Sequence, residues 1–116
     1  MTAEEFVKKY VLHDSLIDDV YVDNNDGKVT IKIDFAFWMQ EDYEESEPET
    51  GIVNVIFDGV SYIEIPQEVD WNEISISEAR IEGDMIKFEL MNDVTDDYLE
   101  ILILAQNVSF ETIDCQ

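Results

Sequence analysis

The sequence predicts an α+β domain, mainly antiparallel β, with a short N-terminal helix packed on a meander of about eight strands. Three observations carry that expectation. Apolar residues recur with a period of 3.6 only over the first eleven positions, and beyond them apolar and polar residues alternate with a period of 2. Turn-forming pairs interrupt the alternation at Asp26-Gly27, Asp58-Gly59, Gly83-Asp84 and Gln106-Asn107, which marks four hairpins. The 116 residues suit one core, and no linker divides them, so residues 1–116 are expected to form a single domain. Eight strands are too many for a flat sheet, which is therefore expected to curl or to split into two layers.

The helix is expected over residues 2–11. Ala3, Phe6, Val7 and Tyr10 fall at i, i+3, i+4 and i+7 on one apolar stripe, with Glu4/Lys8 and Glu5/Lys9 as i,i+4 pairs opposite. Thr2 and Glu5 spell a capping box. At under three turns such a helix needs a sheet to cover its stripe. Next comes VLHDSLIDD, residues 11–19, with the sole histidine, His13, directly before Asp14 and Ser15. Three consecutive residues cannot align as base, orienter and nucleophile, because triad members are brought together by folding. The reading of this stretch is structural: His13 caps the helix C-terminus, and Asp14 or Ser15 accepts turn hydrogen bonds.

Register follows from pairing residues about each turn. Around Asp26-Gly27, Val22 meets Ile31, Val20 meets Ile33 and Leu16 meets Phe37, with Asp18 opposite Phe35 as an interruption. Around a three-residue loop at 58–60, Val55 meets Ile63 and Val53 meets Ile65. Around Gly83-Asp84, Ile81 meets Ile86 and Ala79 meets Phe88, but Ile74 and Ile76 have the wrong parity unless a bulge lies near Ser77-Glu78. Around Gln106-Asn107, Ala105 meets Val108 and Ile103 meets Phe110. The parent strand YLEILILA is apolar on both parities at Leu102 and Leu104, the pattern of a central, doubly covered strand.

QEDYEESEPETG, residues 40–51, breaks the regularity. Six of the ten residues from Glu41 to Thr50 are acidic and none is aliphatic, the composition of a solvated, flexible loop. The whole chain is acidic, with 29 Asp and Glu against six Lys and Arg and a formal net charge of -23. Such a field repels nucleic acids and anionic lipid and attracts basic proteins, with association that weakens in salt. The candidate partner-binding residues are Trp38, Asp42, Tyr43, Glu44, Glu45, Glu47 and Glu49. An aromatic residue beside acids has the makings of a hot spot for a basic partner.

Other chemistry finds little support. Zinc needs His and Cys ligands at set spacing, and His13 and Cys115 are single and far apart. DNNDGK fails as a calcium loop, because Gly27 at position 6 puts Val22 at position 1. Among so many acids a carboxylate pair is uninformative, and no glycine-rich phosphate loop occurs. No catalytic residue, metal or cofactor is expected, and the chain is not expected to be an enzyme. Cys115 reads as a thiol near the chain end, and the lack of a signal pattern or a long apolar run suggests a cytoplasmic protein without membrane contact.

At Leu12-His13-Asp14-Ser15, followed by LIDDVYVD, a turn and KVTIKIDF, the chain resembles the opening of small bacterial immunity-type proteins that accompany polymorphic toxins. The resemblance covers residues 12 to about 37. It implies that the tetrapeptide is structural, lying just ahead of the first strand, and that the protein neutralises a toxin, often a basic nuclease, by binding it. From charge alone, the expected function is a non-enzymatic acidic protein that engages a basic partner through carboxylates. The alternatives are a DNA mimic that inhibits nucleic-acid-binding proteins and a structural or regulatory domain.

Overall fold

The computed structural model describes residues 1–114, so Cys115 lies outside the described residues. Helix α1 spans Ala3–Lys9 and opens with the expected capping box: the Glu5 amide donates to Thr2 Oγ1 at 3.1 Å, and the Thr2 amide donates to Glu5 Oε1 at 2.8 Å. Its end comes two residues earlier than expected. Tyr10 is already extended, because the Val11 amide and carbonyl are both bound by the Gln40 side chain, at 2.9 and 2.8 Å. Lys8 pairs with Glu4 at 2.9 Å, whereas Glu5 is used in the cap and Lys9 lies over the Tyr10 ring, 5.3 Å from its centroid.

Eight strands follow: β1 Leu16–Asp23, β2 Lys28–Ala36, β3 Thr50–Asp58, β4 Tyr62–Glu64, β5 Ile74–Glu82, β6 Met85–Asn92, β7 Tyr98–Leu104 and β8 Asn107–Asp114. All pairings are antiparallel, in one sheet of order β4-β7-β6-β5-β1-β2-β3-β8. The fold class is thus α+β, mainly antiparallel β, as expected. Two three-stranded meanders, β1-β2-β3 and β5-β6-β7, meet at β1 and β5. Each end strand is joined along the chain to a strand near the opposite end of the order: residues 59–61 link β3 to β4, and residues 105–106 link β7 to β8. Links that short force the sheet to curl until its ends meet. The Ser61 amide donates to Leu104 O and the Gln106 amide to Asp58 O, both at 2.9 Å, and these bonds stitch the corner.

The inward faces fill the curl. Phe57 of β3 meets Phe88 of β6 edge-on at 6.0 Å, so side chains from the two meanders touch across the interior. Ile31, Ile33, Val53, Val55, Ile86 and Ile103 are buried with them, and fully buried Phe6 brings α1 onto this core, where the helix contacts β5, β6 and β8. Burying a side chain of this size contributes roughly 1.5–3 kcal/mol, and this apolar burial offsets the self-repulsion of the net charge.

Of the four expected hairpins, the one at Gly83-Asp84 has the expected register, Ile81 opposite Ile86 and Ala79 opposite Phe88, with the shift between Ile76 and Glu78. The first hairpin forms in a different register. Asp23 Oδ1 accepts from the amides of Asn25 and Asp26, so the loop takes four residues and Val22 meets Val29 rather than Ile31. A second irregularity between Ile17 and Asp19 then reverses parity, so Ile17 is buried opposite Ile33 while Leu16 is 45% exposed and does not meet Phe37.

The other two hairpins do not exist. Val55 faces Ile31 and Phe110, not Ile63; Val53 faces Ile33 and Thr112, not Ile65; and Ile63 pairs with Ile103. Ala105-Val108 and Ile103-Phe110 are likewise unpaired, because β8 turns away to lie on β3. A glycine turn permits a reversal but also permits a bend. Gly59, at φ +65°, bends the chain round a corner where an added Cβ would stand 2.7 Å from Gln106 Oε1.

Strand β7 is not central, lying between β6 and the three-residue β4. Its outward Leu102 and Leu104 are half-buried by cross-strand neighbours, Lys87 and Tyr62, rather than by a second layer. The other end of the strand order, β8, is partly covered: the Val108 amide donates to Met1 O at 2.7 Å, and the Met1 ammonium donates to Val108 O at 3.0 Å.

His13 does not cap the helix, from which it is separated by Tyr10, Val11 and Leu12. Its Nδ1–H donates to Ser77 O, the carbonyl in the β5 bulge, at 2.7 Å. The Asp14 amide donates to Ile76 O at 3.0 Å and the Ile76 amide to Ser15 O at 2.8 Å. Ser15 is fully buried, and its Oγ accepts from the Ala36 amide at 3.1 Å. Replacing Ser15 by alanine orphans that buried amide and should lower stability by about 1–3 kcal/mol, measured by chemical denaturation. Gly59→Ala should lower the denaturation midpoint more than Gly83→Ala, because Gly83 shares the positive φ but has open space at its Cβ position. Equal effects would show that the corner does not depend on the Gly59–Gln106 approach.

Candidate functional site

The acidic loop leaves β2 through a 3-10 turn, Phe37–Met39, that ends the strand's alternation and tips Phe37 against Phe35, edge-on at 5.1 Å. Gln40 is the pivot at its root. Besides the two Val11 bonds, its Nε2 donates to Ala36 O at 3.0 Å, which ties loop, helix exit and strand end together. Turns then fold the loop: the Tyr43 amide donates to Gln40 O at 3.2 Å and the Glu47 amide to Glu44 O at 2.9 Å. The Glu44 amide donates to Glu47 Oε1 at 3.0 Å, Tyr43 Oη–H donates to Glu47 O at 3.1 Å, and the Trp38 amide closes the base on Glu49 O at 3.1 Å.

Of the loop's carboxylates only Glu47 takes part in these bonds, and the others are left for solvent. Glu41, Asp42, Glu44, Glu45, Glu47 and Glu49 are all exposed, and among the described residues no ion pair reaches any of them. Five of the six cations pair with other acids: Lys8 with Glu4, Lys28 with Asp58, Lys32 with Asp18, Arg80 with Glu89, and Lys87 with Glu82 and Glu100. Tyr43, half-buried among these acids, has its hydroxyl pushed above the ordinary tyrosine pKa, first by loss of solvent and then by the charges of Glu49, Glu47 and Glu45. The phenolate is disfavoured in that field.

Between the loop and the last turn of α1 lies a cleft of about 470 Å³. Its floor is aromatic: Tyr10 and Phe110 stack at 4.2 Å with an 8° interplanar angle, and Phe37 stands beside them. Glu41, Asp42 and Glu47 from the loop and Lys8 and Lys9 from the helix complete its lining. Of the residues singled out from sequence, Asp42 and Glu47 thus reach the cleft. Trp38, Tyr43, Glu44, Glu45 and Glu49 do not line it; Trp38 stands at the loop base, 48% exposed. The cleft residues from α1, β2 and β8 were missed, since their shared location depends on the curl. Glu41 and Gln40 lay inside the acidic stretch and carried the only readable signal.

Among the described residues no group of three or more His, Cys, Asp or Glu side chains is placed to hold a metal ion, and no helix is long and apolar enough to cross a membrane. No protein-family model, curated protein or solved structure matches the chain. What the arrangement offers chemically is a set of exposed carboxylate acceptors, Glu47 held by the Glu44 amide, beside aromatic rings. Tyr43 should titrate above the usual value near 10.0 in an NMR pH series. In a Glu45→Gln, Glu47→Gln, Glu49→Gln variant it should move part of the way back, because the loss of solvent remains. An unchanged midpoint would place those charges away from the ring.

Proposed function

We propose that this protein is a non-enzymatic interaction protein that binds a basic protein partner through the carboxylates of loop 40–51, and that the partner is a toxin it neutralises. The observation that carries the reading is the combination of exposure and absent pairing in that loop: its carboxylates face solvent on an internally hydrogen-bonded loop, with no ion pair to them among the described residues. A folded loop loses less conformational entropy when it docks than a disordered one does. The toxin part of the reading rests on the resemblance at Leu12-His13-Asp14-Ser15 to immunity-type proteins. In the fold these four residues lie just ahead of β1, and their contacts hold strands together.

Attraction between a carrier of net charge -23 and a basic partner should be steered over long range. Capture of a partner from native cells at low salt, followed by kinetics on the purified pair, tests this. The association rate should fall about tenfold or more between low and physiological salt. Changing Glu44, Glu45, Glu47 and Glu49 together to Gln should weaken binding, whereas His13→Ala should lower stability and leave the affinity of the folded protein unchanged. Salt-independent binding, or full affinity in the quadruple variant, would sink the proposal. Displacement of DNA from several unrelated DNA-binding proteins would mark a nucleic-acid mimic instead.

A further inference from the structure

The outer edge of β1 is a surface that the acidic loop does not use. The geometry points to a strand-pairing edge that fits a second copy of this chain and is held apart from it by Asp19 and Asp23. This inference concerns β1 alone and does not rest on the acidic-loop reading of function.

Beyond Leu16, β1 has no ladder partner on the side away from β2. The 3-10 turn Trp71–Glu73 lies against the strand, but exposure rises toward the strand's end. Asp19 and Val20 are half-buried, whereas Tyr21 is 60% exposed and Val22 37%. Val20 shows which way the backbone faces. Its amide donates to Asp19 Oδ1 at 2.8 Å rather than to β2. Backbone groups alternate sides along an antiparallel strand, so Val20 and Val22 both turn N–H and C=O to the open side. Such an edge is a template for another strand unless charge or shape blocks it.

A second β1 brought up antiparallel, with Tyr21 opposite Tyr21, makes a closed symmetric pair. Val20 then exchanges backbone bonds with Val22 of the second copy, and the exposed Tyr21 and Val22 side chains gain cover. The same register sets Asp19 opposite Asp23 of the second copy, once at each end of the pair. Like charges directly opposite are destabilising, and the Asp19 carboxylate also occupies the Val20 amide that pairing needs. The nearby lysines give no relief, since Lys28 pairs with Asp58 and Lys32 with Asp18. Backbone and apolar residues thus favour self-pairing, the two acids oppose it, and in a chain of net charge -23 the acids prevail.

A charge reversal tests this, because the register predicts what each new side chain meets. The wild-type chain should sediment as a monomer at concentrations on the order of 100 μM. Asp19→Lys frees the Val20 amide and sets two lysines against the two Asp23 carboxylates, so it should sediment as a dimer there. Asp84→Lys, an equal charge change in the Gly83-Asp84 turn, should stay monomeric. Adding Asp23→Asn to Asp19→Lys keeps a side-chain acceptor for the Asn25 and Asp26 amides but removes the opposing charge, and it should weaken the dimer by about threefold to tenfold. Within the dimer, hydrogen exchange should slow at the Val20 and Val22 amides and stay the same at Tyr21.

A dimer of the wild-type chain with those two amides protected would overturn the guard, since the acids would not be keeping the edges apart. A monomeric Asp19→Lys with its β1–β2 amides still protected would overturn the self-pairing edge. So would equal association of Asp19→Lys and Asp84→Lys, or a dimer made stronger by Asp23→Asn, because each would reduce the effect to net charge.

Discussion

The architecture depends on the seam where β1 meets β5. Ladder pairing between these strands is reduced to one position, Leu16 opposite Ser75, although this is the junction that makes two meanders into one sheet. The turn ahead of β1 supplies what the ladder lacks. Ser15 donates its amide to Leu12 O, accepts from the Ile76 amide on its carbonyl and accepts from the Ala36 amide on Oγ, so one buried residue binds its own turn, β5 and the end of β2. Asp14 and His13 continue the line along β5 to Ile76 and Ser77. Asp14 does so at φ +66°, a left-handed conformation that short polar side chains tolerate better than most. The bulge at Ser77 is complementary to this, since it turns a carbonyl outward for His13 to reach. The His-Asp-Ser sequence is therefore a clasp.

The seam also positions the candidate site. Ala36, fixed by Ser15 on its amide and by Gln40 on its carbonyl, ends β2 where the acidic loop begins. Gln40 reaches Val11 at the helix exit, so the loop is anchored to the same few residues that close the sheet. Opposite the seam, the corner at Gly59 and Gln106 brings β8 against β3 and places Phe110 under Tyr10. Closure at both places is thus required before the cleft has a floor. Damage at Ser15 or Gly59 should reach the cleft through the fold, whereas among the loop carboxylates only Glu47 is hydrogen-bonded within the described residues.

How far the sequence was readable depended on the range of the interaction concerned. The capping box at Thr2 and Glu5 is a contact within four residues, and it was visible. So was the bulge at Ser77, because Ile74 and Ile76 are inconsistent with Ala79 and Ile81 unless one residue is extra. The same logic existed at Asp18, where an acid fell opposite Phe35, but the interruption was not converted into a bulge, and Leu16 was placed inward instead of Ile17. The corner was hidden for a different reason. Asp58-Gly59 specifies positive φ, and the local code does not state whether the chain then returns or bends. Only the competition among β2, β4 and β8 for the edges of β3 and β7 decides that, and the competition is non-local. The cleft draws on residues 10, 37, 42 and 110, so it was legible only in its acidic wall.

The loop differs from the rest of the acidic surface in what its charges are attached to. Elsewhere some carboxylates support the sheet: Glu100 accepts from Lys87 and from Tyr98 Oη, and its pKa is lowered first by the Lys87 bond and then by the Tyr98 bond. A carboxyl whose folded pKa is depressed contributes stability above its unfolded value near 4.5, and that contribution is lost as pH falls through the folded value. Glu100 therefore helps hold β6 and β7 together throughout the neutral range. The loop acids have no such cation among the described residues, and clustering them costs repulsion without a partner inside the fold. Removing that repulsion with glutamine should leave the fold intact or strengthen it slightly. A chain that keeps six mutually repelling carboxylates on one loop gives up stability there, and that is the cost the proposed basic partner would offset.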